Sequence, residues 1–300
     1  MLPHAGTEDL PNSKISRTTT EAQAGKRWEP PIGVLGDLLA SAERRAKELE
    51  VRRATVAAQA RSAASVMRLS DSLRAGSCVA IIGEVKRASP SRGAINSGLA
   101  VQQQVEAYER GNARAISILT EPESFGGSSD DLALAAKATS LPILRKDFHV
   151  SPTQLLEARA LGAAAALLIA RALPPARLAE MVSAANEIGL EPLVEVRTED
   201  ELEAALSCGA EMIGVNNRDL ETLTIHTGTA ARILPLIPEA CVTVAESGYE
   251  SRKSVELAAA AGADAVLIGS FLSASNDPVS ALRSLVTVER RSRARSLRNQ

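Results

Sequence analysis

Apolar positions follow two rhythms along the chain. Between Ile32 and Leu49 they recur every three or four residues (Ile32, Leu35, Leu38, Leu39, Ala42, Ala46, Leu49), with Glu43, Arg44 and Lys47 on the other face. That spacing predicts an amphipathic helix, and a second alanine-rich helical stretch continues toward Leu73. Past residue 78 the rhythm changes. Short apolar, β-branched or alanine-rich runs stand at 79–85, 115–120, 142–145, 163–170, 191–196, 212–217, 241–246 and 265–269. Stretches of helical composition, such as PTQLLEARALG and RTEDELEAALSCG, separate them. Gly111, Gly162, Gly189, Gly209 and Gly262 stand where such helices would stop. Parallel strands need crossover helices of this kind. Eight strand-then-helix units over about 200 residues favour an α/β fold closed as a (β/α)8 TIM barrel rather than an open doubly wound sheet. No G-x-G-x-x-G or Walker A loop occurs, which weakens the open, nucleotide-binding alternative. The expected organisation is a mobile N-terminal tail over 1–31, a helical extension over 32–76, a catalytic barrel over 77–286 and an Arg-rich tail over 287–300, solvated or disordered.

Composition narrows the function. The chain has 300 residues, enough for a full core. Its 34 basic and 36 acidic residues give a formal charge of -2, which argues against a general nucleic-acid binder or a basic membrane binder. No apolar run reaches the ~18 residues of a membrane span. The N-terminus lacks the apolar core of a secretory signal. Cys78, Cys208 and Cys241 are far apart, with no C-x-x-C pair, so reduced cytosolic thiols are expected and a zinc site is not.

In such a barrel the chemistry sits where strands end. The first run ends in Glu84 and Lys86, two residues apart and so aimed at one place, followed by the loop Ser89-Pro90-Ser91. The later ends carry Thr120 and Glu121, then Arg145-Lys146-Asp147-Phe148, Glu195, Asn216-Asn217-Arg218, Glu246-Ser247-Gly248 and Gly269-Ser270. Two lysines and three glutamates converging on one rim point to acid–base catalysis. A lysine that donates protons near neutral pH works best with a lowered pKa, which burial beside another lysine would supply; nearby glutamates push the other way. Ser247-Gly248 and Gly269-Ser270 either only make tight turns or also expose N–H groups to a phosphate, and their shared chemistry favours the second. All three phenylalanines, Phe125, Phe148 and Phe271, follow strands. A flat ring in the substrate would explain them, and plugging the mouth is an equal alternative for Phe271. The segment from Ser89 to Gly98 is long enough to serve as a lid.

The motifs EVKRASPSRG, SILT with FGGS, LRKDF, LVEV, IGVNNRDL and VAESG, in this order over roughly residues 32–278, resemble indole-3-glycerol-phosphate synthase. The resemblance implies a cofactor-free, metal-free lyase of tryptophan biosynthesis. Such an enzyme converts 1-(2-carboxyphenylamino)-1-deoxyribulose 5-phosphate to indole-3-glycerol phosphate, carbon dioxide and water. It implies Lys146 as general acid, Glu195 as general base, and Glu84, Lys86 and Asn216 as further catalytic groups. Ser89, Phe125, Arg218, Glu246, Ser247, Gly248, Gly269 and Ser270 would bind substrate. Ala164 stands where the family usually has an acid, and Thr153 where tyrosine is common. The implied partner is one phosphorylated small molecule, with no nucleic acid and no membrane, handled by a cytoplasmic monomer or weak oligomer. The competing readings are another phosphosugar barrel, a Schiff-base aldolase among them, and a non-catalytic or pathway-specific paralogue.

Overall fold

The computed structural model describes residues 28–293. Eight parallel strands close into a barrel: β1 Ala80–Val85, β2 Ala115–Leu119, β3 Ile143–Lys146, β4 Ala165–Ile169, β5 Glu191–Val196, β6 Met212–Asn216, β7 Val242–Glu246 and β8 Ala265–Ile268. They follow one another around the ring, and β8 pairs with β1 to complete it. Each observed strand lies inside the apolar run that predicts it or within a residue of it. The strands are buried on both faces, between barrel interior and outer helices, which is why they read as continuous apolar runs rather than alternating ones.

The helix over Gly33–Glu50 forms as the apolar spacing predicts, burying Leu35, Leu38, Leu39, Ala42 and Ala46. Tyr108, from the helix Val101–Arg110, is fully buried against β1, its hydroxyl donating to the Glu84 carbonyl at 3.0 Å. The second helical stretch differs from expectation. It splits into Arg53–Ser62 and Leu69–Arg74. Arg159 explains the break, because its guanidinium donates to the carbonyls of Ala63 and Ala64 and holds them out of helical bonding. At Thr153, the hydroxyl donates to Glu50 and accepts from Arg53, tying the extension to the barrel. Ser151 and Gln154 form a full capping box there, so the helix starts normally. Ala164 is buried at the foot of β4.

Residues 1–27 and 294–300, which hold most of the expected N-terminal tail and half of the expected C-terminal one, lie outside the described residues. In the C-terminal segment before them Thr287, Glu289, Arg291 and Ser292 are exposed, and the residues between them are tied to the barrel. Val79 donates to the Val288 carbonyl, Arg290 to the Ser77 carbonyl, and Val288 is buried. Arg293 is buried too, its fork bonding Thr243, Asp264 and the carbonyls of Gly262 and Cys241 beneath the barrel. A planar five-donor guanidinium can satisfy that many acceptors at once, so the charge is buried while paired. Among the described residues, no helix is long and apolar enough to cross a membrane.

Candidate active site

Strand alternation decides which side chains enter the mouth. Glu84 points inward at the end of β1 and pairs with Lys86. Lys146 closes β3, Glu195 sits near the end of β5, and Glu246 ends β7. The Lys146 Nζ lies 3.2 Å from Glu246 Oε2 and 3.8 Å from Glu195 Oε2. Two glycines make this approach possible. A Cβ at Gly214 on β6 would stand 2.2 Å from Glu246 Oε1, and one at Gly269 would stand 2.1 Å from Glu84 Oε1.

The electrostatics follow from burial against proximity. Burial alone would drive Lys146 toward neutrality, but Glu246, Glu195 and Glu84 outweigh it and raise its pKa, so it rests as a cation. The glutamates thus win the contest that the sequence leaves undecided. Burial opposes charge on Glu84 as well, yet Lys86 and then Lys146 hold its carboxyl below its ordinary value. Glu246 shifts upward, because burial exceeds the pull of Lys146 and Glu195 adds repulsion. Oε1 of Glu246 is buried without a hydrogen-bond partner among the described residues, and Oε2 of Glu246 and of Glu195 are buried with only the Lys146 ammonium beside them. Buried carboxylates are normally satisfied, so these oxygens mark a site prepared for something else.

The mouth has two halves. One is apolar, walled by Phe125, Phe148, Leu119, Leu167, Ile169 and Leu38. The rings of Phe125 and Phe148 lie 6.3 Å apart and tilted by 40°. The Glu121 carboxylate accepts the N–H groups of Glu123, Ser124 and Phe125, which fixes the loop that carries Phe125. The other half lies beyond β7 and β8, where Ser247, Gly248, Gly269 and Ser270 meet Arg218 and Arg92. Ser247 and Gly248 are both left-handed, at φ 66° and 86°, a conformation that serine adopts only under constraint. The Arg218 pKa is lowered, by burial first and by Arg92 second, as expected of two cations facing one anion position. Glu84, Lys86, Lys146, Arg218, Ser247 and Ser270 border both halves.

The structure brings every sequence-predicted site residue to this mouth. Glu195, Asn216, Ser89 and Phe125 line the apolar half, and Glu246, Gly248 and Gly269 the polar one; Glu84, Lys86, Lys146, Arg218, Ser247 and Ser270 border both. The Asn216 side chain accepts the Arg218 N–H at 2.9 Å, setting the turn that aims Arg218. Ser89 is buried in a short hairpin that pairs Ala88–Ser89 with Gly93–Ala94. Phe271 lines the polar half, apart from the other two phenylalanines. Leu38, Arg92, Leu220 and Leu223 also line the mouth, and the sequence reading gave none of them a site role. Leu38 belongs to an ordinary amphipathic stripe. Arg92 carries the one usable signal, a cation in the loop beside Lys86. Asp147 is likewise a supporting group. It is buried, holds Arg45 of the N-terminal helix in a two-bond clasp at 3.1 and 3.0 Å, and accepts from Thr120 at 2.7 Å. Among the described residues no group of three or more His, Cys, Asp or Glu could hold a metal ion.

A family model described as indole-3-glycerol phosphate synthase matches residues 37–285. The indole-3-glycerol phosphate synthase of Mycobacteroides abscessus is 46% identical over 242 residues, covering 81% of this chain and 89% of the relative. Indole-3-glycerol phosphate synthase 2 of Streptomyces coelicolor is 42% identical over 262 residues, covering 85% and 99% respectively. Among solved structures, thiamine phosphate pyrophosphorylase from Pyrococcus furiosus superposes with a TM-score of 0.54 at 15% identity, covering 73% of this chain and 96% of that one. That likeness speaks for the barrel alone.

Proposed function

This chain belongs to the indole-3-glycerol phosphate synthase family, and from that premise we propose how its mouth closes an indole ring. The reaction is the decarboxylating ring closure of 1-(2-carboxyphenylamino)-1-deoxyribulose 5-phosphate, a lyase step of tryptophan biosynthesis. The phosphate binds at Ser247, Gly248, Gly269 and Ser270, with Arg218 and Arg92 supplying charge. The anilino ring lies against Phe125 and Phe148, and its carboxylate is faced by Lys86, which Glu84 steadies, and by Ser89. Lys146 protonates the ketose carbonyl oxygen as the carboxyl-bearing ring carbon attacks. Carbon dioxide then leaves and the ring regains its aromaticity. The new hydroxyl departs as water with a second proton from the lysine side, and Glu195 takes a proton from the adjacent carbon as the indole forms. Glu246 holds Lys146 in place, and Asn216 sets the Arg218 turn.

The observation that carries this reading is Lys146 within reach of two buried carboxylates at the junction of an apolar and an anion-binding half. We also place the enzyme in the cytosol, where the free thiols Cys78, Cys208 and Cys241 stay reduced, as a monomer or weak oligomer. The test is to incubate purified protein and substrate with a chelator, following indole fluorescence and released carbon dioxide together. Equal amounts of both products are expected. Turnover of other sugar phosphates without carbon dioxide release would replace the reading with another phosphosugar enzyme.

A further inference from the structure

A second cavity adjoins the active site behind Glu195. It lies between the N-terminal helix and the ends of β4, β5 and β6, and its volume is about 170 Å³. A water takes on the order of 30 Å³, so a short chain of waters fits. Leu35, Ile169 and Leu220 form its dry wall, and the latter two also border the active site. Its polar wall is largely paired off, with Arg197 bound to Asp219 at 2.9 Å and Arg171 to Glu221 at 2.7 Å. Two carboxyl groups on the cavity differ. Glu195 is 2% exposed, and among the described residues its Oε2 has no hydrogen-bond partner, only the Lys146 ammonium at 3.8 Å. Glu201, half-buried in the first turn of the helix Glu199–Ser207, accepts the Arg197 N–H at 2.7 Å and makes no ion pair among the described residues.

The reaction supplies a reason for such a path. One turnover turns a carboxylate into neutral carbon dioxide, so it consumes one proton overall. In the roles proposed above, the lysine side gives up two protons, one to the carbonyl oxygen and one to the departing hydroxyl, while Glu195 gains one. Glu195 can hand its proton back to Lys146 across 3.8 Å. One proton is still missing, and it must come from solvent to a site whose three glutamates are buried.

We infer that the lateral cavity is the proton entrance: Glu201 takes a proton from solvent and passes it through cavity water to Glu195, which passes it to Lys146. Each transfer breaks one O–H bond and forms one O–H or, at the last step, N–H bond, so no other reactant is needed. Glu201 touches no substrate and acts through Glu195. Burial, the largest influence on it, raises its pKa above the ordinary carboxylate value against the pull of Arg197, and the negative charge of Glu195 adds to the rise, which makes it a readier proton acceptor than an exposed glutamate. The inference rests on the acid and base roles assigned to Lys146 and Glu195.

The test is stopped-flow turnover in weak buffer with a pH-indicator dye, reading proton uptake and indole fluorescence in the same mixing. Glu201→Gln keeps an oxygen for the Arg197 N–H but cannot carry a proton. The expected result is a first turnover within twofold of wild type, proton uptake slowed at least fivefold, and recovery of uptake on adding imidazole. Glu201→Asp should retain most of the uptake rate. Uptake at the wild-type rate in Glu201→Gln would overturn the inference and leave the main mouth as the entrance. A first turnover that falls with uptake, unrelieved by imidazole, would make Glu201 a structural residue and also overturn it. Failure of wild-type protein to form indole would instead strike the proposed function.

Discussion

Gly214→Ala changes no charged group, yet it should slow the enzyme. The added Cβ would stand 2.2 Å from Glu246 Oε1. Reaching an ordinary contact of 3.4 Å requires the carboxylate to move by about 1.2 Å. If the move is away from Lys146, the 3.2 Å ion pair opens to about 4.4 Å. With an effective dielectric of about 20, the attraction falls from about 5.2 to about 3.8 kcal/mol. The difference of about 1.4 kcal/mol corresponds to about a tenfold loss in kcat if Glu246 holds Lys146 where the transition state needs it. Steady-state kinetics by indole fluorescence reads this directly, and thermal unfolding checks that the variant is folded. A folded Gly214→Ala enzyme with kcat within twofold of wild type would refute the role given to the Glu246–Lys146 contact.

Ser270→Asp should raise KM far more than it lowers kcat, because a second anion would face the phosphate; an unchanged KM in steady-state assays would move the phosphate elsewhere. His149 supplies a stability test. It is buried with Nδ1 2.7 Å from the Leu167 carbonyl, and burial first, then Arg145, brings its pKa down to about 4 from 6.5. A folded pKa below the unfolded one means that the unfolded chain binds the proton first, so stability is full above about 6.5 and is lost as pH falls toward about 4. Urea denaturation at pH 7 and pH 5 should show wild type losing about 2 kcal/mol more than His149→Gln across that range, and parallel losses would contradict the assignment. Arg293→Ala should lower Tm without changing KM, since it strips several buried partners beneath the barrel and touches nothing at the mouth; a KM shift measured beside the melting curve would contradict that separation.

Much of the barrel is legible in the sequence because each strand is buried on both faces and stands out as an unbroken apolar run between Ala-rich helices. The rim residues are legible because charges such as Glu84, Lys146 and Glu246 at the ends of such runs have nowhere else to point. What is not legible depends on distant partners. Residues 63–68 have helical composition, and only the reach of Arg159 shows why the helix stops there. Arg293 looks like one more charge in a basic tail until Thr243, Asp264 and four carbonyls are seen around it. Leu38 reads as packing and is packing, but it also walls the active site. The sign of the Lys146 shift is a contest between burial and three carboxylates, decided by distances that no spacing along the chain encodes.

The most direct measurement is kcat for Lys146→Ala beside wild type on the carboxyphenylamino-deoxyribulose phosphate, at saturating substrate. A positioned general acid contributes on the order of 10² to 10⁴-fold, so the account predicts a loss of at least ~10²-fold in a folded variant that still binds substrate. Turnover at the wild-type rate in that variant would contradict it and take the acid away from the end of β3.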